Sequence, residues 1–180
     1  MLSAPVLALL FLVVLSLLGT LAYGALSAAP WVPLGRADTE RLLHLAQLCP
    51  GELLYDLGCG DGRLLTAAAK RYGVRAVGFE IALLPYLLAQ ARIRLAGVGE
   101  RVTVRYQSFW HVPFDRADAV VCFLTPQALQ RLQTKIPSEL KPSARFVTYA
   151  FKLKSLSPTF VSKPSPTATP IYLYTRSVQA

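Results

Sequence analysis

A short apolar run followed by three glycines at alternate positions constrains the fold of this chain more than any other feature. Residues 53–62 read LLYDLGCGDG, and residues 63–71 continue as RLLTAAAKR. The apolar run predicts a buried strand of a parallel sheet, and the second segment predicts a helix. Glycines between them allow a tight turn and a close approach of a ligand to the backbone. Because the helix would aim its first N–H groups at that turn, the unit predicts a crevice for a polar or anionic cofactor.

The spacing of the turn narrows the kind of cofactor. Dinucleotide-binding turns carry G-x-G-x-x-G, whereas this chain has D-x-G-x-G-x-G from Asp56 to Gly62. A second predicted strand, residues 75–80, ends in Glu80, where doubly wound folds bind a ribose diol through a carboxylate. Together the two motifs resemble those of class I S-adenosylmethionine-dependent methyltransferases. The alternative interpretation is an ordinary turn and a solvated glutamate at a strand end.

The remaining predicted elements alternate between strands and helices. They are a helix at 84–95 closed by Gly97, strands at 102–106, 119–124 and 145–151, a helix at 127–136 ended by Pro137, and a hairpin of residues 160–161 and 171–174. Strands and helices that alternate and then end in a hairpin indicate an α/β fold. We therefore expect a Rossmann-like class I methyltransferase sheet with an antiparallel C-terminal edge hairpin.

The N-terminus is a different kind of sequence. Residues 1–35 contain no charged side chain, and residues 5–23 are almost continuously apolar. About 20 such residues span a hydrocarbon core of roughly 30 Å. A cleaved signal peptide is the main alternative, but a basic n-region is missing and the apolar stretch exceeds a typical h-region. A buried core helix is the third interpretation. We expect one uncleaved transmembrane helix.

The distribution of charge predicts the orientation of that helix. Arg36 and Arg41 follow the apolar segment, which places the globular part on the cytoplasmic side of the inner membrane by the positive-inside tendency. The formal net charge is +9, and the segment from residue 119 onward contains eight Lys or Arg residues but one acidic residue, Glu139. A basic face beside anionic lipid is the expected reason. Nucleic-acid binding is the alternative, although no RNA- or DNA-binding motif accompanies the charge.

These segments divide the chain into three parts. We predict an anchor at 1–28, a pre-motif segment and helix at 29–50, and a cofactor-binding domain at 51–180. About 145 residues remain outside the anchor, enough for one compact domain. Cys49, Cys59 and Cys122 lack the spacing of metal ligands, so we expect free thiols and no metal site.

A narrower resemblance rests on three motifs. These are APWVP at residues 29–33, YDLGCGDGR at 55–63 and GFE at 78–80. In these motifs the chain is similar to small membrane-anchored bacterial methyltransferases. It is also similar to the mitochondrial lysine methyltransferases that act on ATP synthase c-subunit and adenine nucleotide translocase. The similarity runs from about residue 29 to 135. It departs at Ser108, where the family usually has Asp, and fades after the fifth strand.

The resemblance implies which residues bind S-adenosylmethionine. Asp56 orients the amino end, Glu80 binds the ribose hydroxyls, and Phe109 packs on the adenine. The full predicted set is Asp56, Leu57, Gly58, Cys59, Gly60, Gly62, Glu80, Ile81, Ser108 and Phe109. Residues 125–127, Thr125, Pro126 and Gln127, follow the fourth strand and are predicted to face the methyl group and its acceptor. They equally fit the N-cap and first turn of a helix.

Three functions of different classes follow. The leading one is a membrane-anchored methyltransferase that modifies a protein, with a lysine of a membrane protein as the acceptor. The second is a methyltransferase for a lipid, a quinone or another small membrane-resident molecule. The third is a non-catalytic protein that binds the cofactor or the membrane. All three functions use the same glycine turn to bind a cofactor or ligand, and they differ in the methyl acceptor or in having none.

Overall fold

The computed structural model describes residues 3–175, and its centre is one sheet of seven strands. The strands are β1 Leu53–Leu57, β2 Arg75–Glu80, β3 Val102–Tyr106, β4 Ala119–Cys122, β5 Arg145–Tyr149, β6 Phe160–Ser162 and β7 Ile171–Thr175. They lie in the order β3-β2-β1-β4-β5-β7-β6. The first five in that order are parallel, and β7 runs antiparallel to both β5 and β6. The predicted α/β sheet with an antiparallel hairpin at its edge is confirmed.

Helices cover both faces of the sheet. They are α1 Ala4–Ser27, α2 Arg36–Leu45, α3 Arg63–Tyr72, α4 Leu83–Ala96 and α5 Pro126–Glu139. On one face, Leu43 of α2, Leu65 of α3 and Ile93 of α4 belong to one core with the strands. On the other face, Leu129 and Leu132 of α5 belong to a second core. Apolar residues at helical spacing form these stripes because one side of each helix faces the sheet.

Three predicted boundaries are wrong. Strand β4 ends at Cys122 rather than at residue 124. Helix α5 does not end before Pro137 but continues to Glu139. Tertiary contacts hold this last turn, since Glu139 pairs with Lys135 at 3.1 Å and accepts a hydrogen bond from the Phe114 N–H at 3.2 Å. Strand β5 ends at Tyr149 rather than at residue 151 because Ala150 has a φ of 69°, which turns the chain out of the sheet.

Helix α1 has an exposed part and a packed part. Residues 4–16 are exposed, and among residues 3–175 this is the one helix long and apolar enough to cross a membrane. Near its C-terminal end Gly24 is buried, and a Cβ there would lie 3.6 Å from the Ala82 Cβ. The Thr20 hydroxyl accepts a hydrogen bond from the Leu83 N–H at 3.1 Å. The last turns of α1 therefore pack on the start of α4.

Residues 28–35, which we call the strap, connect α1 to α2 and are held at both ends. The Ala28 carbonyl accepts hydrogen bonds from the N–H and the hydroxyl of Thr125, at 3.1 Å and 2.7 Å. The Leu34 carbonyl accepts one from Arg63 Nη1 at 2.6 Å. Between these two points the strap crosses the carboxyl edge of the sheet, where the glycine turn lies.

Candidate functional site

The carboxyl ends of the central parallel strands meet at one edge of the sheet, and the glycine turn follows β1 there. Asp56 of β1 pairs in register with Gly78 of β2 and Val121 of β4. Gly58 and Gly60 have φ values of 76° and 54°, in the left-handed region that a residue with a Cβ rarely adopts. The turn therefore presents its backbone directly to the crevice, as the glycine spacing predicts.

Glu80, at the end of β2, fixes the shape of that turn. Its Oε2 accepts a hydrogen bond from the Gly60 N–H at 2.9 Å, and its Oε1 accepts from the N–H groups of Ile81 and Ala82 at 2.8 Å each. The side chain is buried, with 9% of its surface exposed. Each carboxylate oxygen can accept more than one hydrogen bond, so Glu80 can hold the turn and still bind a hydroxyl of a ligand.

Gly78 is required by packing rather than by its backbone conformation. A Cβ at this position would lie 2.5 Å from both the Cys59 Sγ and the Leu65 Cδ1. The glycine of the GFE motif therefore lets the turn and α3 lie directly on β2. Burial, followed by the charges of Asp56 and Glu80, raises the pKa of the Cys59 thiol well above its usual range, which disfavours its nucleophilic thiolate form.

Asp56 is a buried carboxyl group that faces the crevice. Only 6% of its surface is exposed. Burial, followed by the negative charges of Glu80 and Asp61, raises the pKa of Asp56 to about 8. A buried acid whose surroundings oppose its charged form marks a candidate ligand-binding group. A cationic group placed beside Asp56 would favour its carboxylate form.

Asp61, in the same turn, is held by two arginines. Its Oδ2 lies 2.7 Å from Arg63 Nη2 and 2.8 Å from Arg92 Nη2. Burial alone would raise the pKa of Asp61, but the hydrogen bonds and charges of these arginines outweigh it and lower the pKa. Because Arg63 also donates to the Leu34 carbonyl, this cluster ties the turn to α4 and to the strap.

Trp31, in the middle of the strap, lies against the glycine turn. Its Cδ1 and Nε1 atoms are 2.9 Å from the position that a Cβ on Gly60 would occupy. The Nε1 atom is buried and has no hydrogen-bond partner within residues 3–175. Trp31 lines the same cavity as Asp56, Gly58 and Glu80. An indole therefore forms one wall of the crevice.

Comparison with known protein families agrees with this architecture. A family model described as ANTKMT methyltransferase domain matches residues 56–160, which include the turn, Glu80 and the strands up to β6.

The chain belongs to the ANTKMT methyltransferase family.

Curated relatives in this family carry the names of lysine methyltransferases. The chain is 36% identical over 135 residues to a protein-lysine N-methyltransferase of Saccharolobus islandicus, which covers 74% of this chain and 84% of the relative. It is 33% identical over 135 residues to the human lysine N-methyltransferase named for the ATP synthase c-subunit, covering 74% of this chain and 56% of the relative. It is 36% identical over 135 residues to the mouse adenine nucleotide translocase lysine N-methyltransferase, covering 73% and 57%. The chain thus spans little more than half the length of these two mammalian relatives.

A solved structure gives the same fold with a cofactor product bound. It is an RNA methyltransferase from Salinibacter ruber in complex with S-adenosyl-L-homocysteine, with a TM-score of 0.77 and 28% sequence identity. The match covers 83% of this chain and 96% of that one. The chain is therefore an S-adenosylmethionine-dependent methyltransferase, and the predicted cofactor is confirmed.

The residues of the crevice fit S-adenosylmethionine chemically. Glu80 provides carboxylate oxygens for a ribose diol, and Asp56 provides a carboxyl group next to which no cation lies among the described side chains. The Trp31 Nε1–H is a buried donor without a partner in the described chain. The glycine turn lets the Trp31 ring pack directly on the Gly60 backbone, where a Cβ would collide with it. A ligand with hydroxyls, a cationic amino group and acceptor oxygens matches this set of groups.

Most of the predicted cofactor residues line the crevice of this ANTKMT-family chain. Those on its wall are Asp56, Gly58, Cys59, Gly60, Glu80, Ile81 and Phe109. Leu57, Gly62 and Ser108 are not among its lining residues in the described part of the chain. Leu57 is fully buried in the sheet, Gly62 begins α3, and the Ser108 hydroxyl accepts a hydrogen bond from the Trp110 N–H at 3.4 Å. Direct roles of these residues stay predictions.

The predicted acceptor-facing residues have structural roles at the start of α5. The Thr125 Oγ1 accepts a hydrogen bond from the Ala128 N–H at 3.3 Å, so Thr125 caps the helix, and Pro126 is its first residue. Thr125 also donates to the Ala28 carbonyl. Leu124, just before it, lines the crevice. The role of Thr125, Pro126 and Gln127 toward the acceptor stays a prediction.

Sequence reasoning assigned no site role to several residues that line the crevice. They are Trp31 and Pro30 of the strap, Gln107 after β3, and Phe123 and Leu124 after β4. The APWVP motif carried a resemblance to the family, which could have drawn attention to Trp31. The residues after β3 and β4 could have been found from their place at the carboxyl ends of parallel strands.

Proposed function

We propose that this chain is a membrane-anchored, S-adenosylmethionine-dependent protein-lysine N-methyltransferase. The observation that carries the acceptor class is the 36% identity, over 74% of this chain, to a relative named protein-lysine N-methyltransferase. The human and mouse relatives are named for lysine methylation of the ATP synthase c-subunit and of adenine nucleotide translocase. A lysine of a membrane protein is therefore the acceptor that we propose.

The chemistry needs positioning more than it needs an acid or a base in the protein. When bound, S-adenosylmethionine would supply an electrophilic sulfonium methyl group and S-adenosylhomocysteine as the leaving group. The acceptor lysine would have to reach it as a neutral amine, with its ammonium proton released to water. Glu80 holds the glycine turn and would bind the ribose hydroxyls, and Asp56 would attract the cofactor's amino group. Phe109, 5% exposed beside the crevice, would pack on the adenine. Proximity and orientation supply much of the rate in such a site.

The geometry of α1 supports an anchor that is kept. Its 24 residues would extend about 36 Å at 1.5 Å per residue, enough to cross a hydrocarbon core. Its exposed side chains include Leu7 and Phe11, 54% and 67% accessible, and water is a poor environment for a contiguous apolar surface. Its last turns instead contact the catalytic domain through Thr20 and Gly24. A cleaved signal peptide would have no reason to make those contacts.

Three lysines support contact between the domain and anionic lipid. Of the basic side chains in β4 and beyond, Lys135, Lys141 and Arg145 pair with carboxylates. Lys152, Lys154 and Lys163 are exposed, and none has a carboxylate partner in the described part of the chain. Lys163 directly follows the end of β6, at the carboxyl edge of the sheet. Lys152 and Lys154 lie in the segment that leads from the carboxyl end of β5 to β6. This supports a cytoplasmic domain on the inner membrane, with that edge toward the lipid headgroups.

RNA is a second candidate acceptor, favoured by one observation. The Salinibacter ruber structure is described as an RNA methyltransferase and matches most of this chain, and the formal net charge here is +9. A small membrane-resident molecule, such as a lipid or a quinone, is the third acceptor class that the same test addresses.

Labelled cofactor tests the acceptor class. The full chain, reconstituted in vesicles of its host's lipids, is incubated with host membrane proteins, host RNA and S-adenosylmethionine carrying a labelled methyl group. We expect label in the protein fraction and methyl-lysine in its acid hydrolysate, with none for the Glu80→Ala variant. Label confined to lipid or to RNA would refute the lysine proposal and identify the alternative.

Extraction tests the anchor separately. The full chain expressed in bacterial cells should stay in the membrane pellet after alkaline carbonate treatment, and its intact mass should include residues 1–27. Release into the supernatant, or a mass that lacks this segment, would contradict a retained transmembrane helix.

A further inference from the structure

Hydrogen bonds at both ends of the strap place its middle residues over the crevice. Thr125 holds the Ala28 carbonyl at one end through two hydrogen bonds, and Arg63 holds the Leu34 carbonyl at the other. Both holding residues stand at the start of a helix beside the carboxyl edge of the sheet, α5 for Thr125 and α3 for Arg63. Residues 29–33 therefore span that edge, directly over the glycine turn.

Trp31 occupies the centre of this span, and its surroundings differ from those of a core residue. Ala29 and Leu34 pack against the two hydrophobic cores, whereas Trp31 faces the cavity lined by Asp56 and Glu80. Its indole N–H is buried without a partner within residues 3–175. A buried donor that is left unpaired costs free energy, and an indole N–H can only donate. The other polar side chains of this cavity include the carboxyl groups of Asp56, Asp61 and Glu80.

We propose that Trp31 is a cofactor-binding residue. Its ring packs on the Gly60 backbone and forms the adjoining wall of the pocket, and its Nε1–H donates a hydrogen bond to an oxygen of the amino-acid or ribose part of S-adenosylmethionine. The proposal depends on the cofactor site and not on the lysine acceptor. The strap follows α1 directly in the chain. Trp31 therefore lies between the cofactor pocket and the proposed anchor.

The chain offers a direct spectroscopic test because it has two tryptophans, Trp31 and Trp110. In the Trp110→Phe variant of the full chain, Trp31 is the one remaining indole. Titration of that variant in detergent micelles with S-adenosylhomocysteine should change the emission of Trp31, and the change should saturate at the Kd measured by calorimetry. In the matched Trp31→Phe variant, Trp110 should respond much less.

Calorimetry separates the ring from its N–H. Trp31→Phe keeps an aromatic wall but removes the donor, and we expect binding of S-adenosylhomocysteine to weaken about 3- to 10-fold. Trp31→Ala removes both and should weaken binding further, by about 10-fold or more. If Trp31→Ala does not fold, Trp31→Phe and the emission change still decide the question.

Two results would refute different statements. Emission of Trp31 that stays unchanged at saturation, together with an unchanged Kd for Trp31→Phe, would refute the role of Trp31 alone. Absence of binding by the parent chain would refute the cofactor site itself. Neither measurement includes a methyl acceptor, so failure of the lysine proposal leaves this test intact.

Discussion

Asp56, in β1, and Asp61, in the glycine turn that follows, stand five positions apart. Both side chains are buried, but their electrostatic surroundings are opposite. Two arginines contact Asp61, and its pKa is lowered although burial opposes this. Among the described side chains no cation pairs with Asp56, whose pKa rises to about 8 because burial and two neighbouring acids act in the same direction. Asp61 is paired with cationic side chains of the protein, whereas the carboxyl group of Asp56 is available to pair with a cationic group of a ligand.

The difference shows how one turn can combine rigidity with binding. The arginines at Asp61 connect α3, α4 and the strap, so the glycine turn keeps its shape without a ligand. The burial and the neighbouring charges that destabilise the carboxylate form of Asp56 also prepare it for a cationic amino group. Substitutions at the two positions should therefore affect different measurements.

The largest effect is expected from Asp56→Asn on the pH dependence of stability. A folded-state pKa raised from 3.8 to about 8 means that stability is fully present below the ordinary pKa and is lost as pH rises toward 8. The slope for one group is at most about 1.4 kcal/mol per pH unit. Between pH 5 and 8, the free energy of unfolding of the parent should fall more steeply than that of Asp56→Asn.

Urea unfolding of the full chain in detergent micelles, followed by circular dichroism at each pH, measures both slopes. Asp115→Asn is the matched control, because Asp115 is exposed and should leave the slope unchanged. Parallel curves for the parent and Asp56→Asn would contradict the raised pKa.

Glu80→Ala should produce the next largest effect, on cofactor affinity. The substitution leaves the N–H groups of Gly60, Ile81 and Ala82 without their acceptor and removes the predicted ribose ligand. We expect binding of S-adenosylhomocysteine to weaken about 100-fold, or about 2.7 kcal/mol. Calorimetry measures the Kd, with Glu100→Ala at an exposed position as the control. A Kd within twofold of the parent's would mean that Glu80 does not bind the ribose.

Asp61→Ala should lower stability rather than act first on affinity. It leaves Arg63 and Arg92 without their carboxylate, but both arginines are about one-third or more exposed, so water can partly replace it. We expect a loss of about 2 kcal/mol in the free energy of unfolding at pH 7. Urea unfolding measures this loss. Full stability of the variant together with lost cofactor binding would reverse the roles assigned to Asp56 and Asp61.

Arg92→Gln should give the smallest effect, because Arg63 still pairs with Asp61. We expect a loss of about 1 kcal/mol or less. With one arginine gone, the pKa of Asp61 is lowered less. The stability that depends on its carboxylate form should therefore be smaller, and its loss below the ordinary pKa of an aspartate should be complete at a higher pH than in the parent. Arg94→Gln, at an exposed neighbouring position, is the control in the same unfolding series. A loss as large as that of Asp61→Ala would show that Arg63 contributes nothing.

The glycine turn and the strap also differ in how far the sequence predicts them. The positions of Gly58 and Gly60 in a turn between a strand and a helix could be predicted from their spacing, because such a turn is local in the chain. The place of Glu80 beside them follows from its position at the end of the neighbouring strand. The contact of Trp31 with Gly60 joins segments 29 residues apart. It depends on the hydrogen bonds from Thr125 and Arg63, which no periodicity encodes.

The alternation of strands and helices and the edge hairpin were predictable for a related reason. Alternating apolar runs specify parallel strands, and the edge hairpin pairs as expected. The last turn of α5 was not predictable, since the Phe114 N–H that binds Glu139 lies 25 positions away. A proline usually ends a helix, but at Pro137 the contact between Phe114 and Glu139 supports one further turn.

The shortness of the strap has a consequence for what the enzyme can modify. Eight residues join α1 to α2, and both ends of the joint are bonded to the catalytic domain. If α1 crosses a membrane, as we propose, this short connection would hold the crevice at a nearly fixed distance from the bilayer surface. Under the same proposal, acceptor lysines just outside the lipid headgroups would be within reach of the crevice, and lysines on distant soluble domains would not.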